Sequence, residues 1–205
     1  KGIVNLYDIK TIREEYKSKM SYADKISIWQ GDITRLAVDA IVNAANSQML
    51  GCFVPCHKCI DNAIHSSAGI ELRQECYEYM QERRKIDVDY EEPTGSAVVT
   101  SAYNLPCEYV IHTVGPIVYN ELTDKLRDDL RNCYLSCLKS AVKYGIRSIA
   151  FCCISTGEFH FPSEEAGNIA LSTVIEFLKI HEDYIDRIIF NVFKDYDFDI
   201  YKKLI

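Results

Sequence analysis

The sequence predicts a three-layer α/β/α domain built on a central mixed β-sheet, and three observations carry that prediction. β-rich apolar runs alternate with amphipathic helical runs along most of the chain. Ser148 to Cys153 is apolar almost throughout, the mark of a central parallel strand covered on both faces. Small and polar residues follow the strands, where open α/β sheets place their ligand-binding loops.

Taken in order, Gly2 to Tyr7 reads as a strand and Ile9 to Met20 as a mixed, charged helix. Lys25 to Gln30 alternates apolar and polar residues, a half-buried strand that stops at Gly31-Asp32. Asp39 to Asn43 is a short buried strand, and Asn43-Ala44-Ala45-Asn46 leads out of it. Ile60, Ala63, Ile64, Ala68, Leu72, Cys76 and Met80 keep helical register, predicting a helix from Ile60 to about Arg84 that ends before the acidic surface loop Asp87 to Glu92. Ser96 to Thr100 and Tyr109 to Thr113 are strands. Asp124 to Tyr144 carries one apolar stripe through Leu130, Tyr134 and Leu138, with Gly145 placed as its C-terminal cap. After Ser148 to Cys153 comes a helix with Ser163 as its expected cap and Glu164 and Glu165 favouring its dipole. Arg187 to Phe193 is the last strand and Tyr196 to Ile205 the closing helix. Residues 1–24 read as an N-terminal lead-in, the end of a longer segment since Lys1 is not a methionine, and residues 25–205 as the domain.

With 205 residues, 48% hydrophobic and 26% charged, the chain holds a real core in one domain. A formal net charge of −7 argues against an electrostatic nucleic-acid binder, so a nucleotide would have to be held by backbone donors. Charges interrupt every apolar stretch well short of a membrane span. Nine cysteines, an odd number, without a secretory signal point to a reduced, cytoplasmic protein.

Chemistry concentrates between Gly51 and His65, where three cysteines and two histidines crowd a turn that runs into a helix. Thiolate and imidazole donors select zinc over magnesium or calcium. Cys52, His57 and Cys59 are the best-spaced trio for one zinc ion per chain, and three ligands from one loop leave a coordination position open for water or substrate. Cys56 reads as a bystander; Cys76, Cys107, Cys133, Cys137, Cys152 and Cys153 read as small buried hydrophobes. The run Pro55-Cys56-His57-Lys58-Cys59 also matches half of a zinc deaminase motif, but the companion His-x-Glu is missing.

Gly31-Asp32-Ile33-Thr34, Val38-Asp39-Ala40-Ile41-Val42-Asn43-Ala44-Ala45-Asn46, His65-x-x-Ala68-Gly69, Tyr109-Val110-Ile111-His112-Thr113-Val114-Gly115-Pro116 and Ile154-Ser155-Thr156-Gly157 occur in this order, and together they resemble a macrodomain, a module that binds ADP-ribose. The resemblance runs from about Lys25 almost to the C-terminus. One departure is specific. Where many hydrolytic macrodomains have a run of glycines, this chain has Gly51 to Cys59, which is similar to the zinc-dependent macrodomains of bacteria. Those remove ADP-ribose from proteins and are often linked to a sirtuin-type ADP-ribosyltransferase and a lipoylated carrier protein.

The resemblance implies that Asp32 and Ile33 hold the adenine, that Ser155, Thr156, Gly157, Glu158 and Phe159 form the phosphate loop, and that Phe159 covers the distal ribose. It implies Asn46 as the distal-ribose asparagine and Asp61 as the catalytic aspartate. Each residue also has a plain structural reading. Asp32 is a turn residue, Ser155 to Phe159 a tight strand-to-helix turn, Phe159 a core aromatic, and Asp61 a first-turn carboxylate favouring the helix dipole. His65, four residues after Asp61, either pairs with that residue to orient the carboxylate or a ligand, or is a core histidine. The function expected is zinc-dependent removal of mono-ADP-ribose from an acidic side chain of a modified protein. The alternatives are a reader that binds ADP-ribose around a structural zinc, and a metal-bearing interaction domain with no nucleotide site.

Overall fold

β-branched and aromatic residues supply the strands, and stripes of Leu, Ile, Ala and Cys supply the helices that cover them. The computed structural model describes residues 2–54 and 56–205; Lys1, and Pro55 of the Pro-Cys-x-x-Cys run, lie outside the described residues. In chain order the elements are β1 (Val4–Asn5), α1 (Ile12–Tyr16), β2 (Ile26–Gln30), β3 (Leu36–Ala37), β4 (Ala40–Ala45), α2 (Ile60–Ala68), α3 (Ile70–Arg84), β5 (Val98–Ser101), β6 (Tyr109–Val114), α4 (Asp124–Tyr144), β7 (Ser148–Phe151), α5 (Ser163–His181), β8 (Arg187–Val192) and α6 (Asp195–Leu204).

Six strands form one sheet in the order β2-β8-β7-β4-β6-β5, parallel except for the antiparallel edge strand β5. The sheet is therefore mixed, as the sequence predicts. Adjacent residues of β6 show the layers on its two sides: His112 meets Cys76 of α3 at 3.8 Å, whereas Thr113 is directed at Cys133 of α4. On the α4 side, α4 packs on α5 and α5 on α6. An aromatic stack ties that layer to the sheet, with Tyr134 4.9 Å from Phe151 and Tyr201 4.9 Å from Phe190. Cys76, Cys107, Cys133, Cys137 and Cys152 are buried in the core, as expected of small hydrophobes.

Four expectations need correction. The predicted helix from Ile60 to Arg84 is two helices, because Gly69 at φ +98° and ψ −179° takes a backbone conformation reserved for glycine and turns the chain between α2 and α3. Of Ile9 to Met20 only α1 is helical: Thr11 and Glu14 cap its start reciprocally, and Lys17 in the left-handed region ends it. Of Gly2 to Tyr7 only β1 is strand, since Leu6–Asp8 turn as a 3-10 helix. Ser163 is the first helical residue of α5 rather than its cap; Pro162 holds the cap position and makes no side-chain bond there. Gly145 does cap α4, at φ +69°.

Residues 2–24 pack on the sheet: β1 pairs with β3, Ile12 is fully buried, and Arg187 of β8 donates to the Ile9 carbonyl at 2.7 Å. Among the described residues no helix is long and apolar enough to cross a membrane. The parallel strands set the site, because the segments leaving β2, β4, β6, β7 and β8 all emerge at the same edge of the sheet.

Candidate functional site

The segment after β4 is shaped by Asn46. Its Oδ1 accepts from the N–H groups of Gln48 and Met49 at 3.0 and 3.1 Å, and its Nδ2 donates to the Gly51 carbonyl at 3.2 Å. One Nδ2 hydrogen is left for a ligand. Gly51 sits at φ +86°, where a Cβ would lie 3.1 Å from the ring of His65, so only glycine lets the loop rest on that histidine. The loop closes on α2, whose N-terminus Cys59 caps by accepting the Asn62 N–H at Sγ, 3.3 Å away. Asn62 in turn donates to the His57 carbonyl at 2.8 Å, a brace the sequence reading missed.

This folding brings Cys52, His57 and Cys59 together, with their donor atoms all within 4.8 Å of one another. His57 Nδ1 stands 3.2 Å from Cys52 Sγ. Around one zinc ion, sulfur and nitrogen ligands at their usual bond lengths lie about 3.3–3.8 Å apart, so two half-buried thiols and an imidazole at this spacing fit the ion. The Val54 backbone N–H and His57 hold the Cys52 thiol below the usual range, whereas burial pushes Cys59 above it. Cys56 is exposed, at φ +58°, and stands outside the trio.

Asp61, in the first turn of α2, is buried at 5% exposure. Burial raises its pKa, while the Asn43 side chain and the nearby Arg73 charge oppose that rise. Asn43 Nδ2 donates to Asp61 Oδ1 at 2.8 Å and reaches His112 Nδ1 at 3.1 Å. That amide fixes the tautomer: Nδ1 of His112 must be the acceptor, so Nε2–H donates to Thr100 Oγ1 at 2.9 Å. A second buried group, His65, Cys76 and His112, is also close-set. It does not suit a metal, because His112 Nδ1 is taken up by Asn43 and Nε2 keeps its proton. Burial lowers His112 to about 3 and His65 to about 4 and raises Cys76 to about 12, so the cluster is neutral. His65 Nε2 lies 3.5 Å from Asp61 Oδ1, and neither ring nitrogen has a hydrogen-bond partner among the described residues. Sequence reading gave Asn43 and His112 no role in the site; beyond the motifs that contain them, their signal was polarity inside apolar strands.

After β7 the chain turns sharply. Ser155 is buried at φ +65° with its hydroxyl unpartnered among the described residues, while its carbonyl accepts the Phe161 N–H at 2.9 Å. A Cβ on Gly115, in the segment after β6, would fall 2.1 Å from Ser155 Oγ, so glycine permits that approach. The Phe159 carbonyl accepts the Val118 N–H at 2.9 Å, joining the two segments, and Thr156 Oγ1 donates to the Cys153 carbonyl at 3.2 Å. Gly157 is exposed, and a Cβ there would touch nothing. Glu158, expected among the ADP-ribose contacts, places Oε1 3.2 Å from His57 Nε2.

At the far end, Asp32 Oδ1 accepts the Thr34 N–H and hydroxyl at 3.1 and 2.6 Å, a turn in which Oδ2 makes no hydrogen bond among the described residues. Ile33, expected beside it at the adenine end, is buried. Beside them Gly31 N–H donates to Val192 O at 2.9 Å, and Phe193, the next residue, is 75% exposed. The sequence placed Phe193 inside the last strand and so missed it as an exposed aromatic.

A family model described as Macro domain matches residues 42–170. The chain is 53% identical over 203 residues to a protein-ADP-ribose hydrolase of Treponema medium, covering 99% of this chain and 73% of the relative. It is 45% identical over 202 residues to a protein-ADP-ribose hydrolase of Staphylococcus aureus (strain MSSA476), covering 98% of this chain and 70% of the relative. A crystal structure of the Trypanosoma brucei macrodomain in complex with ADP-ribose superposes with a TM-score of 0.82 at 34% identity, covering 100% of this chain and 77% of that one.

Proposed function

The chain belongs to the Macro domain family, and from that premise we propose that it is a hydrolase that removes ADP-ribose from modified proteins, acting on mono-ADP-ribose linked to an acidic side chain. The observation that carries this reading is the placement of a buried carboxylate, Asp61, at the foot of a loop that gathers two thiols and an imidazole, on the same sheet edge as a phosphate-type turn.

Asp32 Oδ2 accepts the adenine amino group and Phe193 offers a face for the ring. The diphosphate lies on backbone N–H groups of Ser155 to Phe159 and on the free Ser155 hydroxyl, an arrangement that needs no basic side chain in an acidic protein. Phe159 covers the distal ribose, and the remaining Nδ2 hydrogen of Asn46 donates to a ribose hydroxyl. Asn43 holds the Asp61 carboxylate in place, and Asp61 takes the proton of the attacking water or of a ribose hydroxyl. Cys52, His57 and Cys59 would hold zinc, one ion per chain. When bound, zinc supplies a Lewis acid that polarises an oxygen ligand or lowers the pKa of a bound water. The same loop supports placing the chain with the zinc-dependent macrodomains of bacteria; that placement, not a contact in the fold, makes a lipoylated carrier protein modified by a sirtuin-type transferase one candidate target.

Asp61→Asn tests the reading. Losing a general base typically lowers turnover about a hundredfold or more, so release of ADP-ribose from a modified protein should fall by that factor while affinity for free ADP-ribose changes about threefold or less. Turnover undiminished in this variant would remove Asp61 from the chemistry.

A further inference from the structure

Glu158 lies in the turn after β7 and His57 in the loop after β4, and their contact is the one ion pair between those segments among the described residues. Its geometry orients the ring. An ionised carboxylate only accepts hydrogen bonds, and Glu158 Oε1 stands 3.2 Å from Nε2, an ion-pair distance that favours a proton on that nitrogen. Nδ1 faces the Cys52 sulfur at 3.2 Å, with Cys59 close by, and is the nitrogen turned toward the other two soft donors. Direct contact between Glu158 and a bound diphosphate would set like charges together; turned toward His57, the carboxylate avoids that repulsion.

Resting on the hydrolase reading above, we propose that Glu158 is a positioning residue for the metal ligand His57. It holds the Nε2–H tautomer, assigns Nδ1 as the ligating atom, and joins the phosphate loop to the metal loop. A carboxylate on the far nitrogen of a ligating imidazole orients the ring and increases its basicity. Because the backbone of Glu158 belongs to the turn that holds the diphosphate, ordering that turn with ADP-ribose also steadies the carboxylate against His57. Zinc and ADP-ribose therefore bind with positive coupling, which linkage makes reciprocal.

The test is zinc affinity, measured by competition with a chromophoric chelator, for the wild type, Glu158→Gln and Glu158→Ala, without and with saturating ADP-ribose. Glu158 is a largely exposed side chain, so these variants leave the core untouched. Glu158→Ala should weaken zinc about tenfold, and Glu158→Gln, which keeps an acceptor oxygen, should weaken it less. ADP-ribose should tighten zinc about fivefold in the wild type and have no such effect in Glu158→Ala. Nitrogen-resolved NMR of the zinc-loaded wild type should show metal on His57 Nδ1 and a proton on Nε2. Unchanged zinc affinity in Glu158→Ala, or metal on Nε2, overturns the proposal; if ADP-ribose affinity alone falls, Glu158 is a ligand contact instead. A wild type that binds no zinc defeats the metal reading itself, a failure visible before any variant is compared.

Discussion

Asn43 shows how one side chain links sequence to chemistry. In the sequence it is a polar residue at the end of an apolar strand; in the fold it is fully buried and donates to both Asp61 and His112. The bond to Asp61 favours the ionised carboxylate, against a burial that opposes it. Removing the donor in Asn43→Ala should raise the Asp61 pKa further, so the acid limb of the kcat/KM profile should move to higher pH; a pH–rate series on a modified protein checks it. The loss should also destabilise the fold by about 1–3 kcal/mol, as for a buried partner left unsatisfied. Cys52, His57 and Cys59 were legible because soft donors crowd one short loop. Asn43 and His112 were not, since their role appears only when α2 and α3 are laid over β4 and β6. His65 was read two ways; it lies buried beside Asp61 without a hydrogen bond to it.

At the scale of elements, the turn after β7 and the helix pair α2–α3 contrast two kinds of glycine. Gly69 is structural, and a Cβ there would come within 2.7 Å of Asn104 Nδ2 in a backbone conformation closed to other residues. Gly157 is open, and a Cβ at that position would meet nothing within 4 Å, so Gly157→Val should leave thermal stability within about 0.5 kcal/mol of the wild type. Calorimetric titration of the same variant should show ADP-ribose affinity weakened at least about tenfold, because in the proposed reading the new branch stands where the diphosphate approaches. The helical stripes of α4 and α5 and the apolar run of β7 were readable from periodicity alone. The break at Gly69 was not, because residues on both sides of it keep one helical register and the glycine's dihedral angles are set by tertiary packing.

For the whole molecule, parallel strands explain why dispersed motifs meet: segments far apart in the chain leave the sheet at one edge. The order of the motifs was legible; their convergence needed the strand order. Buried His112 and His65 give the whole fold a pH dependence. Their pKa values fall to about 3 and about 4 from the ordinary 6.5, so the unfolded chain binds protons that the folded chain refuses. Their contribution to stability is complete above pH 6.5 and is lost as pH falls through that value toward 4. Asp61, with a raised pKa, has the opposite sign, favouring the fold as pH falls toward the ordinary carboxylate range. Urea unfolding between about pH 7 and 4.5 should therefore show a steep loss of stability, and His65→Leu, which removes an imidazole unpartnered among the described residues, should make it shallower. If backbone donors rather than surface cations hold the diphosphate, as proposed, affinity for ADP-ribose should change little with salt.

The most direct measurement is a time course of ADP-ribose release from a protein carrying mono-ADP-ribose on a glutamate, run with zinc-loaded protein and with chelated protein shown to be folded by circular dichroism. In the proposed reading adenine and diphosphate are held by groups other than the Cys52, His57 and Cys59 donors, so the chelated sample should still bind ADP-ribose. The zinc-loaded sample should release it, and the chelated one should be slower by about a thousandfold, the scale of several kcal/mol of transition-state stabilisation. Zinc-loaded protein that binds ADP-ribose yet releases none from the modified protein would contradict the account and leave a reader built around a metal staple.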